Sequence, residues 1–192
     1  MTATIPVPSD QGRPFDIVFL DRDGTINARV PRYVTSGSEL VLLPGAARAV
    51  ADLNRSGARV VVVTNQRGIG TGELSAEQLD EVHATLAARL SEEGAHLDAI
   101  YVCPHEEGTC RCRKPGTGLF EAALEAAPWA EPARCVMVGD MVTDVLPASR
   151  LGLRAILVGD GTPHTGWERA DDLAGAVDRL LGRQSSMQRE GR

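Results

Sequence analysis

The chain has 192 residues, a net charge of −6, 43% hydrophobic residues and 24% charged residues. This length is sufficient for one domain with a full hydrophobic core. The acidic balance argues against a nucleic-acid partner, because proteins that neutralise backbone phosphates usually carry a basic excess. The first residues lack the basic start and apolar stretch of a secretory signal, and no apolar run is long enough to span a membrane. We therefore expect a cytoplasmic protein without nucleic-acid or membrane partners, and we separately expect a monomer.

Short apolar runs alternate with helical patterns along the chain. The apolar runs are continuous rather than alternating, as is typical of strands that are covered on both faces. They predict strands over residues 16–20, 58–63, 99–102, 135–138 and 154–158. Helices are predicted over residues 45–56, from the Ser75–Gln78 capping box to Gly94, over 117–127, over 144–151 and over 171–181.

This alternation predicts an α/β fold with a doubly wound, Rossmann-like parallel sheet. Residues 15–182 would form the domain, flanked by flexible tails over 1–14 and 183–192, which are polar and lack periodicity. Pro147 would remove one backbone hydrogen bond inside the helix predicted at 144–151. The spacing between the predicted strands leaves no room for a separate cap domain.

Polar residues follow the predicted strands at the ends where ligands bind in parallel sheets. Asp21 and Asp23 follow the first strand, Thr64 follows the second, Lys114 ends the loop after the third, and Asp140 follows the fourth. A single aspartate after a strand is commonly a turn or capping residue. The ordered set, however, indicates a shared site at one edge of the sheet.

The residue types suit phosphoryl transfer. A carboxylate such as Asp21 can attack phosphorus and form an aspartyl-phosphate. Because carboxylate and phosphate repel each other, a divalent cation must lie between them, and Mg²⁺ prefers the oxygen ligands that Asp21 and Asp140 offer. Lys114 and Thr64 would stabilise the phosphoryl oxygens. Asp23 would protonate the leaving oxygen and then activate water.

A second set of residues has the spacing of a metal site. Cys103, His105, Cys110 and Cys112 offer four soft ligands within ten residues, which predicts a tetrahedral zinc site. A disulfide from Cys103 to Cys110 or Cys112, or free thiols, are the alternatives. Since the protein fills all four positions, we interpret the zinc as structural, bracing the loop that presents Lys114.

Taken together, DRDGT at 21–25, the threonine of VVVTN, Lys114 and GDMVTD at 139–144 resemble the four motifs of the haloacid dehalogenase superfamily. The resemblance covers roughly residues 15 to 160. It implies a HAD-like fold with Asp21 as nucleophile, Asp23 as acid–base, and Thr64 and Lys114 as phosphoryl stabilisers. It also implies that Mg²⁺ is bound by Asp21, by the backbone carbonyl of Asp23 and by Asp140, with Asp144 supporting Asp140 or Lys114.

Within the superfamily, the zinc loop resembles the D-glycero-D-manno-heptose 1,7-bisphosphate 7-phosphatases and the histidinol-phosphate phosphatases. The stretches DRDGTIN, LPGA and TNQRGIGTGELS are similar to the heptose group. The short zinc loop is closer to the histidinol-phosphate type, and Met141 replaces a lysine that is frequent in heptose enzymes. The resemblance implies that substrate is contacted by Arg29, Arg32, Tyr33, Asn65, Gln66, Arg67 and Arg113.

We therefore expect a magnesium-dependent phosphatase that acts on a small phosphorylated sugar, with the 7-phosphate of heptose 1,7-bisphosphate as the first choice. Arg29, Arg32 and Arg67 could bind a second phosphate group, which favours a bisphosphate. Histidinol phosphate is the alternative substrate. A receiver that accepts phosphate on aspartate without turnover, and a zinc-binding module without activity, are alternatives of other classes.

Overall fold

The computed structural model describes residues 4–8, 12–159 and 167–183. The strands in this part of the chain are β1 (Ile17–Leu20), β2 (Arg59–Asn65), β3 (Ala99–Cys103), β4 (Val136–Gly139), β5 (Arg154–Val158) and β6 (Glu168–Ala170). The helices are α1 (Ala46–Arg55), α2 (Ala76–Ser91), α3 (Gly118–Glu125), α4 (Val142–Arg150) and α5 (Leu173–Leu180).

All six strands pair in parallel in the order β3-β2-β1-β4-β5-β6. β1 lies in the middle of the sheet, with Val18 opposite Val60 on one side and Val136 on the other. The strand order reverses at this point, and such reversals open a crevice beyond the carboxyl ends of the strands. The predicted doubly wound parallel sheet is confirmed. Asp21 after β1 and Asp140 after β4 lie at this crevice.

Helices cover both faces of the sheet. Val18 and Leu20 of β1 are buried in the core that contains α1, α2 and α5, while Ile17 and Phe19 are buried in the core beside α3 and α4. On this second face, the rings of Phe19 and Phe120 meet edge to face with centroids 5.2 Å apart. The continuous apolar runs in the sequence therefore have the two-sided burial that was predicted from them.

The capping box predicted at the start of α2 is present. Ser75 Oγ accepts from the backbone N–H of Gln78, and Gln78 Oε1 accepts from the N–H of Ser75. Helix α4 begins at Val142, two residues before the predicted start at residue 144, and it continues through Pro147. Pro147 is buried together with Val145 and Ala148 against β4 and β5. This packing offsets the backbone hydrogen bond that proline cannot donate.

Strand β6 and the N-terminal residues 4–8 both pack at the edge of the domain, and neither was predicted to do so. Strand β6 was not predicted, because a three-residue edge strand carries too little pattern; the ion pair of Arg154 with Glu168 joins it to β5. At the other end of the chain, Ile5 is buried and its carbonyl accepts from Trp129 Nε1 at 3.3 Å. Residues 4–8 of the predicted N-terminal tail thus pack on the domain.

Residues 184–192 of the predicted C-terminal tail lie outside the described residues. Between β1 and β2 the chain forms loops, a short 3-10 turn at Gly37–Glu39 and α1, and between β2 and β3 the only helix is α2. No cap domain is inserted at either point, as the spacing predicted. Among the described residues, no helix combines the length and apolar character needed to cross a membrane.

Candidate active site

A cleft of about 450 Å³ opens at the carboxyl edge of the sheet. Its floor receives Asp21, which directly follows β1 and whose backbone N–H donates to Val138 O of β4 at 3.0 Å. Thr64 near the end of β2 and Lys114 from the loop after β3 also line the cleft. The predicted motif residues therefore meet in one place because the central strands all end there.

Lys114 joins the parts of the cleft through one buried ammonium group. Its side chain is 2% exposed, and Nζ lies 2.7 Å from Asp21 Oδ1, 2.6 Å from Asp144 Oδ1 and 2.7 Å from Val63 O. An ammonium group has three donors, so each donor has an acceptor here. The expectation that Asp144 supports Lys114 agrees with this contact.

The charges around Asp21 do not balance through Lys114 alone. Burial raises the pKa of Asp21 to about 6, opposed by Lys114 and reinforced by the carboxylates of Asp144 and Asp23. Burial lowers the pKa of Lys114, but the two neighbouring carboxylates outweigh it and hold this pKa above its ordinary value. The lysine therefore stays charged, and the site favours a further cation near Asp21.

Asp140 follows β4 and has a different partner. Arg29 donates to its two carboxylate oxygens from Nε and Nη2 at 2.8 and 2.9 Å. The Asp140 carboxylate lies so close to Gly24 that a Cβ there would come within 2.1 Å of Oδ2, and Gly24 has a φ of +93°. Only glycine meets both conditions, which accounts for the Asp-Gly pair in the first motif.

The carboxylates of Asp21, Asp140 and Asp144 have the donor chemistry of a magnesium site. One oxygen from each lies within 4.8 Å of the others. Oxygen ligands of this kind suit Mg²⁺. The sequence placed Asp21 and Asp140 in the magnesium site, whereas the side chain of Asp144 joins this cluster in addition to supporting Lys114.

The Asp23 carboxylate lines the cleft and is fixed by hydrogen bonds from neighbouring side chains. It accepts hydrogen bonds from Arg22, from Asn27 Nδ2 at 2.9 Å and from Gln66 Nε2 at 2.8 Å. Burial raises its pKa, but the Arg22 charge and these hydrogen bonds outweigh burial and bring the pKa below its ordinary value. The fold thus supplies Asp23 with a fixed orientation beside Asp21.

The two amides that follow Thr64 serve the site from within the protein. Asn65 Oδ1 accepts from the backbone N–H of Lys114 at 3.0 Å, and Asn65 Nδ2 donates to its carbonyl at 3.0 Å. Gln66 Nε2 donates to Thr64 Oγ1 at 2.9 Å as well as to Asp23. Both were predicted to bind substrate. They line the cleft, but their hydrogen bonds position Lys114, Thr64 and Asp23.

The remaining predicted substrate residues lie at the rim. Arg29, Arg32, Tyr33 and Arg113 line the cleft, and Arg113 Nη1 is a buried donor for which the described residues offer no acceptor. Arg32 is paired with Glu73 at 3.1 Å. Arg67 is not part of the cleft lining; its Nε donates to Tyr33 Oη at 3.3 Å.

The predicted zinc ligands also converge. Cys103 Sγ lies 3.6 Å from Cys110 Sγ and 3.4 Å from Cys112 Sγ, and His105 Nδ1 lies 3.2 Å from Cys112 Sγ. A disulfide requires sulfur atoms about 2.05 Å apart, so these are free thiols. Ligands on a tetrahedral zinc ion would have separations of this order. The four residues fit zinc, and Cys110 also lines the cleft.

The comparisons with known proteins agree with this geometry. A family model described as HAD-hydrolase-like matches residues 111–180. The D-glycero-alpha-D-manno-heptose-1,7-bisphosphate 7-phosphatase of Mycobacterium bovis is 42% identical over 67% of this chain and 68% of the relative. The D-glycero-beta-D-manno-heptose-1,7-bisphosphate 7-phosphatase of Pseudomonas putida is 34% identical over 86% of this chain and 99% of the relative.

A solved structure extends the similarity to three dimensions. The D,D-heptose 1,7-bisphosphate phosphatase of B. bronchiseptica, complexed with magnesium and phosphate, has a TM-score of 0.81 and 31% identity, covering 87% of this chain and 98% of its own. The chain belongs to the haloacid dehalogenase-like (HAD) phosphatase family. As a HAD phosphatase it is a phosphoric monoester hydrolase, and the resemblance drawn from its motifs is confirmed.

The sequence did not point to two residues that support Asp23 in this HAD phosphatase site, Arg22 by direct hydrogen bonds and His83 through Arg22. Arg22 is fully buried, and its Nη1 lies 3.3 Å from Nε2 of His83 on α2. Arg22 stands inside the DRDGT motif and could have been singled out as a charge in a buried segment. His83 gave no such signal, because its contact spans 61 positions and depends on how α2 packs.

The pKa of His83 offers a test of this buried contact. Burial, together with the Arg22 charge, lowers it from 6.5 to about 4. Between these values the unfolded chain binds more protons than the folded protein, so stability falls as the pH decreases through this window. The free energy of unfolding of the wild type should therefore fall when the pH is lowered from 7 to 4.5. In His83→Gln, which lacks this titrating group, we expect the fall to be smaller by about 2 kcal/mol, after a discount for partial exposure.

Urea unfolding at several pH values measures this difference, and the subtraction cancels the titration of the other groups. If both proteins lose the same free energy of unfolding between these pH values, His83 is not held in its neutral form.

Proposed function

We propose that the protein hydrolyses the 7-phosphate of D-glycero-D-manno-heptose 1,7-bisphosphate through a phospho-aspartate on Asp21. The observation that carries this proposal is the contact of Asp21 with Lys114 at 2.7 Å inside the cleft that Asp23 and Thr64 also line. A carboxylate oxygen of Asp140 lies within 4.8 Å of one from Asp21. The names of relatives that align over most of their length support the sugar bisphosphate as substrate.

Mg²⁺ would be bound by the side chains of Asp21, Asp140 and Asp144 and by the backbone carbonyl of Asp23. It supplies positive charge that brings the phosphate and the nucleophilic carboxylate together. Arg29 pairs with Asp140 at 2.8 Å; with Asp140 bound to Mg²⁺, this arginine would be available to a substrate anion. Burial, as the largest cause, and the neighbouring carboxylates raise the pKa of Asp21 despite Lys114, and a cation beside Asp21 would favour its ionised form.

The protein groups divide the reaction into two steps. In the first, an Asp21 oxygen forms a bond to phosphorus while the bond from phosphorus to the sugar oxygen breaks. The negative charge of the bound phosphate opposes the effect of Arg22 on the pKa of Asp23 and favours its protonated form, and Asp23 gives this proton to the sugar oxygen. In the second, Asp23 takes a proton from water, the water oxygen bonds to phosphorus, and the Asp21–phosphorus bond breaks. Lys114 and Thr64 stabilise the charge on the phosphoryl oxygens.

Substrate selection would fall to the rim, because the described residues form no cap domain over the cleft. Arg113 Nη1 is a buried donor with no protein acceptor among the described residues, and it lines the same cleft as Arg29 and Arg32. A second phosphate offers acceptors for such donors. These arginines support a bisphosphate over histidinol phosphate, whose amine would meet a cationic rim.

Replacement of the nucleophile is the first test of this function. We expect Asp21→Asn to reduce phosphate release from heptose 1,7-bisphosphate by at least about 10⁴-fold, because the amide cannot form the phospho-aspartate. Removal of Mg²⁺ by a chelator should abolish activity in the wild type, and its return should restore it. Unchanged turnover in Asp21→Asn would contradict the catalytic assignment.

The substrate is tested by a panel assay of kcat/KM with magnesium. The panel contains both anomers of heptose 1,7-bisphosphate, between which the names of the relatives divide, and histidinol phosphate. We expect the bisphosphate to be the better substrate, and a higher kcat/KM for histidinol phosphate would reverse this choice. A phospho-form that persists for hours would instead favour the receiver.

The zinc site is tested with a matched pair of cysteine variants. Cys112 belongs to the four-residue cluster, whereas Cys135 is a buried core residue directly before β4 and lies outside the cluster. We expect elemental analysis to find about one zinc ion per chain in the wild type and in Cys135→Ala, and none in Cys112→Ala. Cys112→Ala should also unfold at a markedly lower temperature than Cys135→Ala, which loses only about 1 kcal/mol by cavity formation.

Zinc retained in Cys112→Ala, or absent from the wild type, would contradict the assignment. Because the site has no open position, the fraction of Cys112→Ala that stays folded should keep most of its chemical rate.

A further inference from the structure

Arg22 is a charged side chain placed entirely inside the protein. It is 0% exposed, and Nε and Nη2 donate to Asp23 Oδ1 at 3.2 and 3.0 Å, while Nη2 also donates to Oδ2 at 2.9 Å. Nη1 faces Nε2 of His83 at 3.3 Å. A buried guanidinium is costly unless its donors are matched, so Asp23 and His83 together determine where this group lies.

Two amides hold the same carboxylate from other directions. Asn27 Nδ2 donates to Asp23 Oδ1 at 2.9 Å, and Gln66 Nε2 donates to Oδ2 at 2.8 Å. Each carboxylate oxygen therefore has one amide donor in addition to the shared guanidinium. Rotation of the carboxylate about its last torsion angle would break several of these bonds at once. Asp23 consequently presents one fixed face to the cleft.

We propose that Arg22, supported by His83 and acting with Asn27 and Gln66, is a positioning residue that aligns Asp23 for proton transfer to the leaving oxygen. This inference rests on the proposed function, in which Asp23 is the general acid. Proton transfer needs a donor within hydrogen-bond reach and correct orientation. A freely rotating carboxyl group would satisfy that condition for only part of the time.

The choice of leaving group separates this role from a merely structural one. A sugar alkoxide is a poor leaving group and needs the proton from Asp23, whereas p-nitrophenolate leaves readily without it. Loss of general acid catalysis therefore slows the sugar phosphate, by about 10²- to 10⁴-fold, much more than it slows p-nitrophenyl phosphate. The quantity of interest is the ratio of kcat/KM for the two substrates, which does not depend on how much of a preparation is folded.

The experiment measures this ratio for the wild type, Asp23→Asn, Arg22→Met, Arg22→Lys and Gln66→Leu. We expect Asp23→Asn to lower it by at least about 100-fold and Arg22→Met by at least about 10-fold. Arg22→Lys keeps the charge but not the forked geometry, so its ratio should lie between the ratios of Arg22→Met and the wild type. Gln66→Leu removes one hydrogen bond to Asp23 and one to Thr64. The loss at Thr64 affects both substrates, so we expect this variant to lower the ratio less than Arg22→Met does, and it serves as the test if the buried arginine variants do not fold.

Arg59→Met is the matched control. Arg59 is also largely buried and paired with an aspartate, Asp98, at 3.1 Å, but it begins β2 at the opposite edge of the sheet. We expect this variant to leave the ratio unchanged, even if it lowers stability.

The outcomes distinguish two failures. If Asp23→Asn lowers the ratio but Arg22→Met and Gln66→Leu leave it at the wild-type value, the positioning role is wrong and the general acid stands. If Asp23→Asn itself leaves the ratio unchanged, the general acid assignment in the proposed function is wrong.

Discussion

The ammonium group of Lys114, buried between Asp21 and Asp144, is the interaction on which the site depends. Its three contacts, at 2.6 to 2.7 Å, reach the end of β1, the backbone of β2 and the first turn of α4. Removing one partner of a buried ion pair leaves an uncompensated charge and is strongly destabilising. Asp21, Lys114 and α4 therefore keep their relative positions as one unit.

Several local features exist to place that ammonium group correctly. Asn65 pairs with the backbone of Lys114 through both its oxygen and its nitrogen. Asp144 lies so close to Gly139 that a Cβ atom added to Gly139 would be 2.5 Å from the Cβ atom of Asp144. The Cys/His cluster lies immediately before Lys114 in the chain, and Arg113 N–H donates to Cys110 Sγ at 3.3 Å. A zinc ion in this cluster would brace the loop without taking part in the chemistry.

Much of this arrangement could be predicted from the sequence, because it depends on local pattern and strand order. Continuous apolar runs indicated the central strands, and the residues that follow them gave Asp21, Asp23, Thr64, Lys114 and Asp140. The topology of a parallel sheet then requires those residues to meet. The four zinc-site residues were recognisable because they lie within one loop.

Contacts between distant segments were beyond such reasoning. Asn65 and Gln66 were expected to bind substrate, and nothing in the sequence indicates that Asn65 pairs with a backbone 49 positions away. The pairing of Arg22 with His83 depends on the packing of α2. Strand β6 was missed because three residues carry no period, and it forms only because β5 offers an edge.

Trapping of the phosphorylated enzyme tests the central claim most directly. Asp23→Asn, mixed with Mg²⁺ and a phosphate ester with a good leaving group, should accumulate a phospho-aspartate, because water is no longer activated to attack it. Mass spectrometry after rapid acid quenching should then find one phosphoryl group, about 80 Da, on the peptide that contains Asp21. A phosphoryl group on another residue, or turnover with no phosphorylated enzyme at any time, would contradict the account.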